Sequence, residues 1–383
     1  MSLLLTLLFT IVSYNCENLF DCRHDSLKND WEFCEDSSRN WHFGRYWKKL
    51  NNIGRVIQQC GCHHPDNHQF DGAMLSQQRG GHHPDNHQFD GAMLSQQRGG
   101  AMLSQQRGGA MLPQQRGGAM LSQQRGGAML PQQRGGAMLP DIVALLEVEN
   151  DSTLFMLTKR SLLKGAGYKY VMTNSLDARG IDVAMIYNPL TFRLERSYSI
   201  RPDIENLKTR DILYAKGVMR ARDTLHIFVV HAPSRRNGKS ATEGYRLQVE
   251  RRMMQSVDSI RGINPDAKIV LMGDFNDYSN DRALKDIVSR GFVETSKGVR
   301  GLNYEKTGVS GTYKYQGAWN SLDHIFLSTG AQQQVERCFI YDAAWLLEED
   351  NQGGYKPFRT YLGPRYHDGV SDHLPIVLQL KLE

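Results

Sequence analysis

Six short segments of this 383-residue chain share one habit: an apolar run stops abruptly at an acid, an amide or a histidine. TIVSY is followed by Asn15, with Glu17 just beyond, and IVALL ends in Glu147. LHIFVV ends in His231, and KIVLMG runs into Asp274, Asn276 and Asp277. Asp323 sits in SLDHIF, and Asp372 with His373 precedes LPIVLQL. Each segment carries a charge or a donor out of a hydrophobic layer at its edge. Gathered in space, these groups form one pocket of carboxylates, amides and histidines. Like charges a few ångströms apart repel strongly in a low dielectric, so such a pocket needs a compensating cation. Hard oxygen donors without a useful cysteine pair point to Mg²⁺ or Mn²⁺.

Taken singly, each residue has an ordinary reading. Asn15 caps a turn, Glu147 caps the following helix, and His231 is a satisfied core histidine. Asp274 is turn chemistry, and Asp323 and Asp372 are surface acids. The ordered set, rather than any one member, carries the functional reading.

The elements that must position these groups follow from hydrophobic period. Strands are expected at 9–15, 142–147, 168–173, 182–187, 212–219, 225–231, 268–273, 322–327 and 374–381. Helices are expected at 46–59, where Leu50, Ile53 and Ile57 share a face, at 151–164 with Asp151 or Ser152 as cap, at 243–260 and at 280–290. Many strands interleaved with a few helices suggest an α/β layered sandwich. Periodicity leaves the sheet topology open.

Residues 63–139 stand apart. HHPDNHQFD occurs twice, at 63–71 and 82–90, and the nine-residue unit GAML(S/P)QQRG recurs at 72–80, at 91–99 and in tandem from 100. A Gly-Gly pair in every unit stops a helix early, and Ala, Met and Leu offer too little burial to offset the ordering entropy. The tract reads as a disordered surface insertion in a single domain made of 1–62 and 140–383. Its six histidines, with Cys60 and Cys62 beside them, suit adventitious metal chelation better than a structural site. It joins the chain ahead of the strand ending in Glu147, on the side away from the chemistry.

Composition sets bounds. Charged residues make up 23% and hydrophobic ones 40%, and the net charge is +5. This is too mild to demand a nucleic-acid partner and does not exclude one. No apolar run reaches the roughly 18 residues needed to span a bilayer, so integral membrane association is not expected. The six cysteines are too few and too uneven for a disulfide scaffold. The opening MSLLLTLLF suits either a truncated signal sequence, which would mean export, or a ragged start to the first strand of a cytoplasmic protein.

The series SYNCENLF, LLEVEN, VVHAPS, LMGDFND, SLDHIF and SDHLP resembles the endonuclease/exonuclease/phosphatase superfamily, the metal-dependent phosphohydrolases related to pancreatic deoxyribonuclease. The match runs from about Thr10 to Leu380 and omits only the insertion. The resemblance implies a four-layered α/β sandwich, with two central, mostly antiparallel sheets flanked by helices and the active site at one edge. It implies Glu147 as principal metal ligand, with Asn15, Asp372 and Glu17 on the metal side. Asp274 becomes the base for the attacking water and Asn276 its positioning partner. His373 faces the phosphate, oriented by Asp323, and His231 assists the leaving oxygen.

Physical chemistry agrees with that division. In-line attack on a phosphodiester concentrates charge on the equatorial and leaving oxygens, where a metal and a histidinium each stabilise it. Arg179 and Arg210 suit either a substrate phosphate or surface ion pairs. Arg235 and Arg236, in the tract after His231, suit substrate anchoring. The expected activity is divalent-metal-dependent hydrolysis of phosphodiesters, most simply endonuclease-like. The alternative is a phosphomonoesterase or a phospholipase- or sphingomyelinase-like enzyme on small or lipid phosphates.

Overall fold

A strand buried on both faces reads as an unbroken apolar run, and two such sheets packed together form the centre of the protein. The computed structural model describes residues 8–62, 138–220, 223–236 and 238–382. The expectations made for the repeat tract, for its histidines and for residues 1–7 lie outside the described residues.

In chain order the strands are β1 (Leu8–Leu19), β2 (Ile142–Val148), β3 (Lys169–Met172), β4 (Asp182–Tyr187), β5 (Phe192–Ile200), β6 (Ile212–Met219), β7 (Thr224–His231), β8 (Lys268–Asp274) and β9 (Phe292–Glu294). They continue as β10 (Tyr313–Tyr315), β11 (Ala318–Asn320), β12 (Asp323–Ser328), β13 (Val335–Ile340), β14 (Leu347–Glu349), β15 (Tyr355–Pro357), β16 (Tyr361–Leu362), β17 (Arg365–Tyr366) and β18 (Ile376–Lys381). The helices are α1 (Phe43–Gly61), α2 (Asp151–Lys159), α3 (Lys239–Ile263), α4 (Arg282–Ser289) and the short α5 (Tyr304–Thr307) and α6 (Thr329–Gln332).

Two six-stranded sheets result, ordered β13-β18-β1-β2-β4-β3 and β5-β6-β7-β8-β12-β9. Each has a single parallel pair, β1 with β2 and β7 with β8, and is otherwise antiparallel. The expected sandwich is therefore present. Its inner layer holds Phe9, Ile11, Ala144, Val229, Met272 and Ile325 between the sheets. Residues of α1 and α2 cover the outer face of the first sheet, and Met253, Met254, Val257 and Leu284 from α3 and α4 cover the second. On α1, Leu50, Ile53, Val56, Ile57 and Cys60 are buried at the three- and four-residue spacing of one helical face.

Two details differ from expectation. The cap of α2 is Asn150, whose side chain accepts from Thr153 N at 2.9 Å, so neither Asp151 nor Ser152 serves. The helix also ends at Lys159, because Ser161 and Leu163 turn inward onto α1. Strands β5 and β13 have no clear apolar period, since β5 is largely exposed along its length, and sequence pattern misses both.

Met138 lies against the C-terminal end of α1. A Cβ on Gly61 would lie 2.0 Å from the Met138 carbonyl oxygen, so the returning chain crosses directly over the end of α1. Leu139 packs on the α1 core, and Pro140 accepts a hydrogen bond from the Tyr168 hydroxyl at 2.6 Å.

Candidate active site

The alternation of side chains along a strand decides which residues reach the rim between the sheets. In β7, Leu225, Ile227 and Val229 point into the inner layer, and His231 is next in that row. In β8, Val270 and Met272 are followed by Asp274; in β12, Asp323 precedes Ile325 and Leu327; in β1, Phe9 and Ile11 lead to Ser13 and Asn15. Four polar residues thus continue four inward-facing apolar rows at one edge. Register aligns them, since His231 pairs across from Asp274, and Asp323 from Asp274.

Glu147 breaks this rule and reaches the site by a bulge. Val143 and Leu145 face the outer core, and simple alternation would send Glu147 the same way. Instead β2 shifts register against β4 between Leu146 and Val148, and Glu147 takes a φ of 62°. Strand β1 shifts register opposite it, with Glu17 at 49° and Asn18 at 58°. Bulges of this kind re-aim side chains, and left-handed backbone at non-glycine residues costs of order 1–3 kcal/mol each. The strain is concentrated where Asn18 N donates to Glu147 Oε2 at 2.8 Å.

Gly273 draws the second sheet together. Its φ is 134°, and a Cβ there would lie 2.0 Å from the Val230 carbonyl oxygen, so only glycine lets β8 approach β7 this closely. Asp274 consequently lies beside His231, with Oδ2 3.6 Å from Nε2, while Glu147 Oε1 stands 3.7 Å from the same nitrogen. Asn15 Nδ2 donates to Asp274 Oδ2 at 3.2 Å, and Asn276 N donates to Oδ1 at 2.9 Å. The Asn276 side chain donates to the Ala232 carbonyl at 3.1 Å and holds the two strand ends together. His373 Nδ1 and Asp323 Oδ2 are 2.7 Å apart, and Thr312 donates to that same oxygen at 2.6 Å.

Burial and neighbouring charge separate these groups. Burial, then the charge of Asp323, pushes the Asp274 carboxyl up to about 7. Burial opposes protonation of His373, but the Asp323 carboxylate and its hydrogen bond, then Asp372 and Asp274, hold its imidazole well above the usual range. Burial, then the cations Arg210, Arg179 and His373, holds His231 well below it. The positive histidine of the pair is therefore His373.

Several supporting residues carry no signal in the sequence. Ser371 donates to the Asn15 carbonyl at 2.7 Å, and Tyr313 lies 5.1 Å from the His373 ring. Arg359 donates to Glu17 at 3.2 Å and to Asp372 at 2.9 Å, and Thr360 N donates to Glu17 at 2.7 Å. Fully buried Lys49 bonds Thr360 and the Val370 carbonyl and shares this network. Both Glu17 oxygens thus already accept hydrogen bonds within the chain.

The expected phosphate-binding arginines are placed unevenly. Arg210 is buried, with its guanidinium on Asp177 and on the carbonyls of His231 and Ala232, so it braces the rim. Arg235 pairs with Asp281 at 3.0 Å and covers the Tyr278 ring. Arg179, about half exposed, lies 3.9 Å from Asp177, and Arg236 is exposed. Trp319 is half-buried against the outer core, with Lys314 above its ring.

A divalent cation fits this donor set. Asp274, Asp323 and His373 offer ligand atoms within 4.8 Å of one another, and the buried Oδ1 of Asp323 has no partner among the described residues. Glu147 adds a partly exposed carboxylate oxygen nearby. The His373 imidazolium, paired with Asp323, offers no lone pair to a cation, so the hard carboxylate oxygens carry the fit.

The sequence matches the profile of the Endonuclease/Exonuclease/phosphatase family over residues 10–69 and 128–382. The chain belongs to this family. Members of the endonuclease/exonuclease/phosphatase family are phosphoric ester hydrolases and generally depend on divalent metal. Among solved structures, an endonuclease/exonuclease/phosphatase family protein from Bacteroides thetaiotaomicron aligns over 99% of both chains, with a TM-score of 0.52 at 13% identity. TDP2 from Caenorhabditis elegans aligns over 98% of this chain and 75% of its own, at 12% identity and a TM-score of 0.48. A mannosyl-6-phosphatase from Bacteroides thetaiotaomicron aligns over 62% of this chain and 84% of its own, at 17% identity and 0.45. No curated protein matches the sequence. Among the described residues no helix is long and apolar enough to cross a membrane.

Proposed function

We propose that this family member hydrolyses phosphodiesters, in an endonuclease-like manner, by in-line attack of a water activated at Asp274. The observation that supports this best is the meeting of Asn15, Glu147, His231 and Asp274, drawn from four strands of two sheets, within hydrogen-bond or ion-pair range. A carboxyl held near 7 is matched to accepting a proton at neutral pH. Asn15 and the Asn276 amide fix its orientation. The imidazolium of His373, held by Asp323, faces the phosphate and offsets charge that develops on its oxygens. Neutral His231 serves as a donor toward the leaving oxygen.

We assign Mg²⁺ or Mn²⁺ to Glu147, Asn15 and Asp372; when bound it would polarise the phosphate and acidify water. Glu17 and Arg359 then act as supports behind these ligands. Arg179 and Arg236, the less committed of the four arginines, remain the candidates for a substrate phosphate.

A panel of plasmid DNA, single-stranded DNA, inositol phosphates, sphingomyelin and bis(p-nitrophenyl) phosphate, each with Mg²⁺, Mn²⁺ or EDTA, tests this. Metal-dependent cleavage of the nucleic acids and of the chromogenic diester is expected. Turnover confined to monoesters or to sphingomyelin would overturn it in favour of the phosphatase or phospholipase-like alternative.

A further inference from the structure

A second concavity lies on the same rim. Its volume is about 460 Å³, within the range of small-ligand sites, and its walls include Leu176, Arg201, Ile204, Leu207, Lys208 and Thr209. The strand ends place it. Ile200 closes β5 beside Ile212 at the start of β6, and β6 pairs with β7, so the cleft lies at a strand end two strands from His231, or about 10 Å along the edge.

A wall separates the two sites. Asp177 and Arg210, each 7% exposed at the side chain, pair at 3.1 Å between the loop after β3 and the start of β6. Leu176 and Thr209 are their immediate neighbours on the cleft side, and Arg210 grips the His231 and Ala232 carbonyls on the other. A molecule reaching from the catalytic rim over this pair would enter the cleft.

The lining limits what can bind. Leu176 is 49% exposed, and with Ile204 and Leu207 it forms an apolar side, which suits a flat ring and wastes the hydroxyls of a sugar. The exposed Arg201 and Lys208, with Asp203 in the same lining, are unsuited to an acyl chain and leave a net positive charge for an anionic group. Thr209 is 7% exposed and its buried hydroxyl has no partner among the described residues, so a donor or acceptor is on offer that the protein itself does not use. Among the described residues the Arg201 side chain is held only through Nε, 3.5 Å from Asp211, and it is 48% exposed.

We propose that this cleft is a subsite for the nucleoside attached to the reacting phosphate, its ring against Leu176 and Leu207, its polar edge on Thr209, and its second phosphate on Arg201 and Lys208. The inference rests on the phosphodiesterase reading above and names its substrate class.

The test compares two chromogenic diesters with the full chain and Mg²⁺: the 5′-p-nitrophenyl ester of thymidine 3′,5′-bisphosphate, which carries the nucleoside and second phosphate, and bis(p-nitrophenyl) phosphate, which carries neither. Leu176→Asp and Lys208→Ala should each lower the ratio of their kcat/KM values about tenfold, through KM on the nucleoside ester. Thr209→Val should do likewise and Thr209→Ser should restore it. Binding of thymidine 3′,5′-bisphosphate in EDTA should weaken about tenfold in the same variants, with circular dichroism confirming the fold. An unchanged ratio in every variant, or equal loss on both esters, would overturn the subsite while leaving the phosphodiesterase reading intact. Absent hydrolysis of either ester, with binding lost in the variants, would overturn the reading and keep the subsite. Binding that the variants do not alter would end the subsite outright.

Discussion

Asp274 and His231 face one another across a parallel strand pair, with Oδ2 and Nε2 3.6 Å apart, and burial drives them in opposite senses toward the uncharged form. With its carboxyl near 7, Asp274 is ionised in part at neutral pH and can take the proton of water, while neutral His231 can give the leaving oxygen only a hydrogen bond from its ring N–H. Asp274→Asn should lower turnover about 10²–10⁴-fold, and His231→Gln by a similar factor, with melting temperatures near wild type. Steady-state rates on a chromogenic phosphodiester check this. Near-normal turnover in either variant would refute the role assigned to that residue.

Asp323 should act through His373. With Asp323→Asn the imidazole loses its principal counter-charge, so its protonated form gives way at lower pH than in the wild type. The activity loss, about 10²-fold at neutral pH, should therefore shrink as the pH is lowered. Proton NMR titration of the His373 ring provides the second reading.

Gly273→Ala should unfold or badly destabilise the protein, by more than about 2 kcal/mol, because both a clash and a left-handed backbone are involved. The Cβ would meet the Val230 carbonyl. Denaturant melts measure it; a stable variant would mean that β7 and β8 can separate without loss.

A pH effect on stability is expected far from the chemistry. Glu250 on α3 is 3% exposed and neither carboxylate oxygen has a partner among the described residues. Burial, then Asp286 on α4, pushes its carboxyl from 4.5 up to about 8. Between those values the folded chain holds a proton that the unfolded chain has released, so stability falls as pH rises through this window. Glu250→Gln should flatten that slope. Urea midpoints from pH 5 to pH 9 settle it, and parallel slopes for the two proteins would contradict the burial argument.

Removal of 63–137, with Cys62 joined to Met138 through a few glycines, should preserve both fold and rate. The joint lies four residues before β2, and Glu147 stands a further five residues along that strand from Ile142, about 17 Å on. Activity lost from a folded deletion would show that the insertion contributes to the site.

Much of this was legible in the chain. The apolar runs of β7, β8 and β12 announce strands buried on both sides, and counting by twos from Ile227, Val270 or Ile325 reaches His231, Asp274 and Asp323. Counting fails for Glu147, whose parity is wrong by one, because a bulge is a local backbone choice that alternation does not encode. The roles of Arg210 and Glu17 were hidden for another reason. Several of their partners, the carbonyls of His231 and Ala232 and the Thr360 amide, are main-chain groups that every residue possesses, and the side-chain partners Asp177 and Arg359 lie far off in sequence. Ser371, Thr312 and Lys49 likewise gain their importance only from long-range closure of the fold.

The lone parallel pair in each sheet explains where this protein was free to grow. Antiparallel neighbours can be joined by a short hairpin, whereas strands running the same way require a long return path. The first sheet uses α1 for that journey and the second uses α3. A return path is already slack by construction, so a nonapeptide array could be spliced into the first without redrawing either sheet. Chains differing only in the number of nonapeptides should carry interchangeable catalytic edges.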